Sequence, residues 1–150
     1  MLLINGRRVL GAALLAALLA ALVAGCGGSS DAAPLKKPQF VKQANAICVE
    51  AQQERAAVSK ELSKQGGGSG GSAEAEEVMT ELLEPIEGMT ERLSELAPPK
   101  GQEREVEAIV AAYEKGTSQL QGGPEGKTAV TAFDEADQLA LAYGLTECTI

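Results

Sequence analysis

Four stretches of this chain repeat apolar residues at three- and four-residue spacing, and Gly- or Pro-rich segments cut each one off, a pattern that predicts four amphipathic helices. Phe40, Ala44, Ile47, Ala51, Val58 and Leu62 mark the first, from about Pro38 to Gln65. GGGSGGS then ends it, because glycine loses too much backbone entropy to remain helical, and 66–71 is expected to be a mobile loop. Ser72 can cap the second helix, where Glu74, Glu76 and Glu77 complement the positive end of its dipole. Val78, Leu82, Ile86, Met89, Leu93 and Leu96 form its stripe, and APPK stops it.

The third helix is expected from about Gln102 to Gln121, with Val106, Ile109, Val110, Tyr113 and Leu120 inward, until GGPEG interrupts. A fourth follows from about Lys127 to Tyr143, burying Val130, Phe133, Ala136, Ala140 and Leu141. Gly144 supplies the left-handed turn that closes many helices, and Leu145 stands where a Schellman motif returns an apolar contact to the last turn. Helices joined by short turns pack up-down-up-down, so the expected fold class is all-α, a four-helix bundle over residues 38–150.

The N-terminus has a different character. Arg7 and Arg8 precede a nearly unbroken Ala/Leu/Val run from Val9 to Val23, the layout of an export signal. The run is shorter than the roughly 20 apolar residues of a spanning helix and is followed by glycine, not a charged stop. Arg7-Arg8 is a weak match to twin-arginine export, so general secretion is the default. Val23-Ala24-Gly25-Cys26 resembles the bacterial lipobox. That resemblance implies cleavage of residues 1–25 and a diacylglycerol on Cys26, against the alternative of an ordinary signal peptide. Residues 26–37, rich in Gly, Ser and Pro, read as a flexible tether holding the domain off the membrane.

With Cys26 assigned to lipid, Cys48 and Cys148 have one possible pairing, in a compartment where disulfides persist. The alternative is two buried free thiols. Up-down-up-down packing favours the bridge, since it returns the end of the fourth helix to the start of the first. FVKQANAICVEA, EPIEGMTERLSELAPP and DEADQLALAYGLTEC resemble uncharacterised small secreted or lipid-anchored helical proteins of actinobacteria, in which an early IC and a terminal YGLxxC recur. The resemblance implies a fold and a location, and brings no established activity.

Composition narrows the chemistry. Losing Arg7 and Arg8 with the signal lowers the basic count from 13 to 11 against 21 acidic residues, a formal charge of −10. Such a surface is expected to be repelled by phosphate backbones and anionic lipid heads, which argues against nucleic acid as a partner. The chain has no histidine, which removes Ser–His and Cys–His nucleophiles, Glu-x-x-His di-iron sites and Cys-x-x-Cys-His haem attachment. GGPEGKT, residues 122–128, lacks the first glycine of a phosphate-binding loop, since that position is Gln121.

Glu74, Glu77, Glu81, Glu84, Glu91 and Glu95 make an acidic series on the second helix, read as a solvated face. Glu77, Glu81 and Glu84 are its candidate partner-binding residues. No loop offers the alternating oxygen ligands of a calcium site, so neither a metal nor a cofactor is expected. Pro85 and Gly88 inside the same helix predict a kink near Glu84. The resulting expectation is a membrane-anchored extracytoplasmic lipoprotein, not an enzyme. It would act as a protein-binding or structural module, or alternatively as a carrier or sensor of a small apolar ligand, its partners being the membrane and an unidentified envelope protein or ligand.

Overall fold

The computed structural model describes residues 33–64, 72–121 and 131–150. Among these, four helices follow in order, α1 (Lys37–Lys64), α2 (Ser72–Glu95), α3 (Glu103–Gln121) and α4 (Asp134–Tyr143). α1 packs on α2, α2 on α3 and α3 on α4, giving the all-α four-helix bundle that the apolar spacing predicts. The loop expected at 66–71, the GGPEGKT turn, Val130 and Cys26 lie outside the described residues, as does the Ser72 side chain.

The core occupies the end of the bundle where α1 begins and α4 finishes. Phe40, Ala44, Ile47 and Ala51 of α1 meet Ile86, Met89 and Leu93 of α2, together with Val106, Ile109, Val110 and Tyr113 of α3. Phe40 lies edge-on to Tyr143, with ring centroids 5.8 Å apart, a favourable aromatic geometry. The domain is ordered slightly ahead of Pro38, because Leu35 packs on the core and its N–H donates to the Ala97 carbonyl at 3.4 Å.

Several expected positions shift. Val58, Leu62, Val78 and Leu82 are only half-buried. Gln121, the last residue of α3, donates to Glu87, so Val78 and Leu82 lie on α2 beyond the end of α3, while Val58 and Leu62 lie on α1 beyond Gln52, which the C-terminal tail reaches. From Leu83 onward α2 touches α3 as well as α1, and Leu83, with Pro85, replaces Leu82 on the buried face. The helix continues through Pro85, although proline cannot donate to the preceding turn.

Lys127, the expected start of the fourth helix, lies outside the described residues; Thr131 is helical, a turn follows at 132–133, and α4 runs from Asp134. Phe133 turns inward at that point and lies against α3 at Gly116, where an added Cβ would sit 2.5 Å from the ring and 2.7 Å from the Ala132 carbonyl. Asp134, Glu135 and Asp137 then occupy the first turn, complementing the helix dipole. Ala136, Ala140 and Tyr143 form the buried stripe, which leaves Leu141, one residue off that stripe, 50% exposed.

Gly144, at φ 107°, ends α4 as expected: its N–H donates to Leu141 and that of Leu145 to Ala140 at 2.8 Å, the two bonds of a Schellman motif. Leu145 is buried beside that turn.

Two alanine substitutions should move stability in opposite directions. Gly116→Ala is expected to cost about 1–3 kcal/mol through overpacking against Phe133. At Gly88 the new methyl meets nothing within 4 Å, and Gly88→Ala should stabilise α2 by about 0.5–1 kcal/mol. Urea unfolding of both variants measures the pair.

Candidate functional site

The segment after α4 forms no helix, yet it carries most of the side-chain contacts that join distant parts of the chain. Its anchor is the Cys48–Cys148 disulfide, across a sequence separation of 100, with Cα atoms 4.9 Å apart. Both sulfurs belong to buried residues, sealed between α1 and the tail. Around them Asn45 accepts the Glu147 N–H at 3.1 Å, and Gln52 donates to the Glu147 and Thr149 carbonyls. Tyr113 donates its hydroxyl to the Cys148 carbonyl from α3, and Asp137 accepts the Ile150 N–H on both oxygens, at 3.1 and 3.2 Å. Four side chains from three helices thus satisfy the backbone of a tail that has no helical ladder of its own.

The sequence marked the two cysteines but not the residues that surround them. Tyr113 reads as core from its spacing, and Asn45, Gln52 and Asp137 read as surface polar residues. Their partners lie from 13 to 102 positions away, beyond the reach of any local pattern.

Burial raises the Tyr113 hydroxyl well above the ordinary tyrosine range, with Asp137 adding to the rise. Burial also lifts the Asp137 carboxyl above the usual aspartate value, and Asp134 reinforces the shift, while the Ile150 N–H opposes it. Glu103 moves the other way, lowered by the Gly101 N–H it accepts at the start of α3.

Glu77, Glu81 and Glu84 stand exposed along one face of α2, at four- and three-residue spacing, as expected of a solvated face. None of the three forms an ion pair with a described residue. Arg92 instead reaches across to Glu50 of α1 at 2.6 Å.

A cleft of about 410 Å³ opens where α1 begins, lined by Lys37, Gln102, Arg104, Ile109, Leu139 and Tyr143. The Lys37 ammonium lies 4.3 Å from the Tyr143 ring centroid, and the Tyr143 hydroxyl donates to Gln102 at 2.7 Å. Burial, with Glu105 nearby, raises the Tyr143 hydroxyl as well. Among the described residues no helix is long and apolar enough to cross a membrane, and no three His, Cys, Asp or Glu side chains converge as a metal centre requires. No protein-family model, curated protein or solved structure matches the chain.

The bridge closes a loop of 100 residues, and loops of about that length are worth up to ~4.7 kcal/mol by the chain-entropy argument. The Cys48→Ala/Cys148→Ala double variant is therefore expected to lose several kcal/mol in urea unfolding, and an unchanged midpoint would show the tail held by its hydrogen bonds alone.

Asp137 carries a pH signature. A carboxyl raised in the folded state contributes stability that is fully present below its unfolded value and is lost as pH rises through its folded value. Asp137→Asn keeps an acceptor for Ile150 but does not titrate. The wild-type minus variant difference in melting temperature should fall as pH rises from the ordinary aspartate range through the raised value of folded Asp137, and a difference that grows over that rise contradicts this account.

Proposed function

We propose that this chain is an extracytoplasmic lipoprotein, anchored through Cys26, whose helical domain is a non-enzymatic protein-binding or structural module of the bacterial cell envelope. The observation that carries the reading is the buried Cys48–Cys148 disulfide, since a covalent bridge between residues 100 apart needs an oxidising compartment. The export-signal layout ending at Cys26 supports the same location, and two or more acyl chains hold a protein to a membrane where one holds marginally. For the partner surface, the unpaired, exposed row of Glu77, Glu81 and Glu84 favours a basic protein face.

In-cell formaldehyde crosslinking followed by capture of the tagged chain tests both halves. One dominant envelope protein is expected, lost on charge reversal of Glu77, Glu81 and Glu84. Cys26→Ala should shift the chain out of the membrane fraction. Recovery of background proteins alone would sink the module reading and favour a small-ligand carrier using the cleft beside Tyr143, to be sought by native mass spectrometry.

A further inference from the structure

The seam between α2 and α3 contains a second cleft, of about 360 Å³, whose lining residues all carry polar side chains. Glu87 and Glu91 of α2 and Glu114 of α3 bring three carboxylates to it. Thr90, Ser94, Thr117 and Ser118 add hydroxyls, and Gln121 an amide. No lining residue is cationic.

The basic residues of these two helices are committed elsewhere. Arg92 pairs with Glu50 of α1, Lys115 with Glu135 of α4, and Arg104 lines the cleft beside Tyr143. The carboxylates of the seam are therefore left without a cation from the helices that bear them.

At the floor lies an unsatisfied group. Thr90 and Thr117 are the two buried polar residues of the described chain, 5% and 6% exposed. Thr90 spends its hydroxyl on the Ile86 carbonyl at 2.8 Å. The Thr117 Oγ1 is buried with no hydrogen-bond partner among the described residues, although it lines the cleft. A buried hydroxyl without a partner is costly, and native proteins seldom keep one that nothing uses.

Register defines the shape of what fits. Gln121 donates to Glu87, so in this antiparallel pair Thr117 falls near the level of Glu91, and Glu114 near Ser94. The carboxylates are strung along roughly two helical turns, about 10 Å, and do not converge on one point. That spread suits an elongated organic cation better than a chelated metal ion, and the volume lies in the range of small-molecule sites.

We propose that the α2–α3 cleft binds a linear polyamine, its ammonium groups reaching Glu87, Glu91 and Glu114 and one N–H donating to the Thr117 hydroxyl at the floor. Ammonium-to-carboxylate hydrogen bonds are charge-assisted and so are strong for their size. The site shares no lining residue with the row of Glu77, Glu81 and Glu84 and does not depend on lipidation of Cys26.

Calorimetric titration of the full chain, held in mild detergent, with spermidine tests it, with butylamine as a single-ammonium control. Saturable binding is expected, weakened about tenfold or more by Glu87→Gln/Glu91→Gln/Glu114→Gln and by Thr117→Val, and restored by Thr117→Ser. A triple remote from the cleft, Glu54→Gln/Glu61→Gln/Glu107→Gln, removes the same charge and should leave affinity within about twofold. Melting curves verify that each variant is folded. Unsaturable uptake, equal loss in both triples, butylamine binding as tightly as spermidine, or a folded Thr117→Val with wild-type affinity would each overturn the proposal.

Discussion

The covalent link between Cys48 and Cys148 is the constraint on which the rest of the architecture turns. The core is small and poor in aromatic rings, with Phe40, Tyr113, Phe133 and Tyr143 its four aromatic residues. α4 is only 10 residues long, too short to be stable without packing, and the tail beyond it has no helical hydrogen bonds to offer. Tying that tail to Cys48, in the buried stripe of α1, fixes where α4 ends. It also places the Cys148 carbonyl over Tyr113 and the Ile150 N–H on Asp137. The bridge and the hydrogen bonds are thus mutually supporting: each narrows the positions from which the other can form.

The fold also sorts a chain that is acidic on average into regions with distinct chemistry. The end where α1 begins brings Lys37 and Arg104 around Tyr143, so a net negative chain presents basic groups there. The outer face of α2 is a row of carboxylates in solvent, and the inner seam with α3 places further carboxylates over buried threonine hydroxyls. Exposed ion pairs such as Arg92–Glu50 and Lys115–Glu135 add little stability individually. Their consequence is to commit these cations to α1 and α4, away from the seam.

Much of the fold was legible because helical period and helix-breaking residues are local signals. The stripe of α3 was read residue by residue, and Gly144 with Leu145 announced the end of α4. The errors arose where tertiary neighbours decide burial. Val58 and Leu62 continue the helical spacing of Ile47 and Ala51, but the C-terminal tail that covers Cys48 and Gln52 is bonded to α1 no further along than Gln52. Leu82 and Leu83 are equally apolar, and only the position of α3 selects the second. The turn at 132–133 interrupts the span expected for the fourth helix because Phe133 leaves the helical path to lie on Gly116, a contact between residues 17 positions apart.

The sequence by itself determined the number and type of the elements, because periodicity, capping and glycine cost act within a few residues of one another. It also determined that only one disulfide was available once Cys26 was set aside, and the absence of histidine restricted the chemistry before any fold was known. Only the tertiary structure decided which polar residues matter. Asn45, Gln52, Tyr113 and Asp137 acquire roles from a tail that folds back over them. Thr117 becomes notable only because packing against α2 strips its hydroxyl of solvent without supplying a partner. Burial and long-range hydrogen bonding depend on the simultaneous positions of several helices, and no local pattern of residues encodes them.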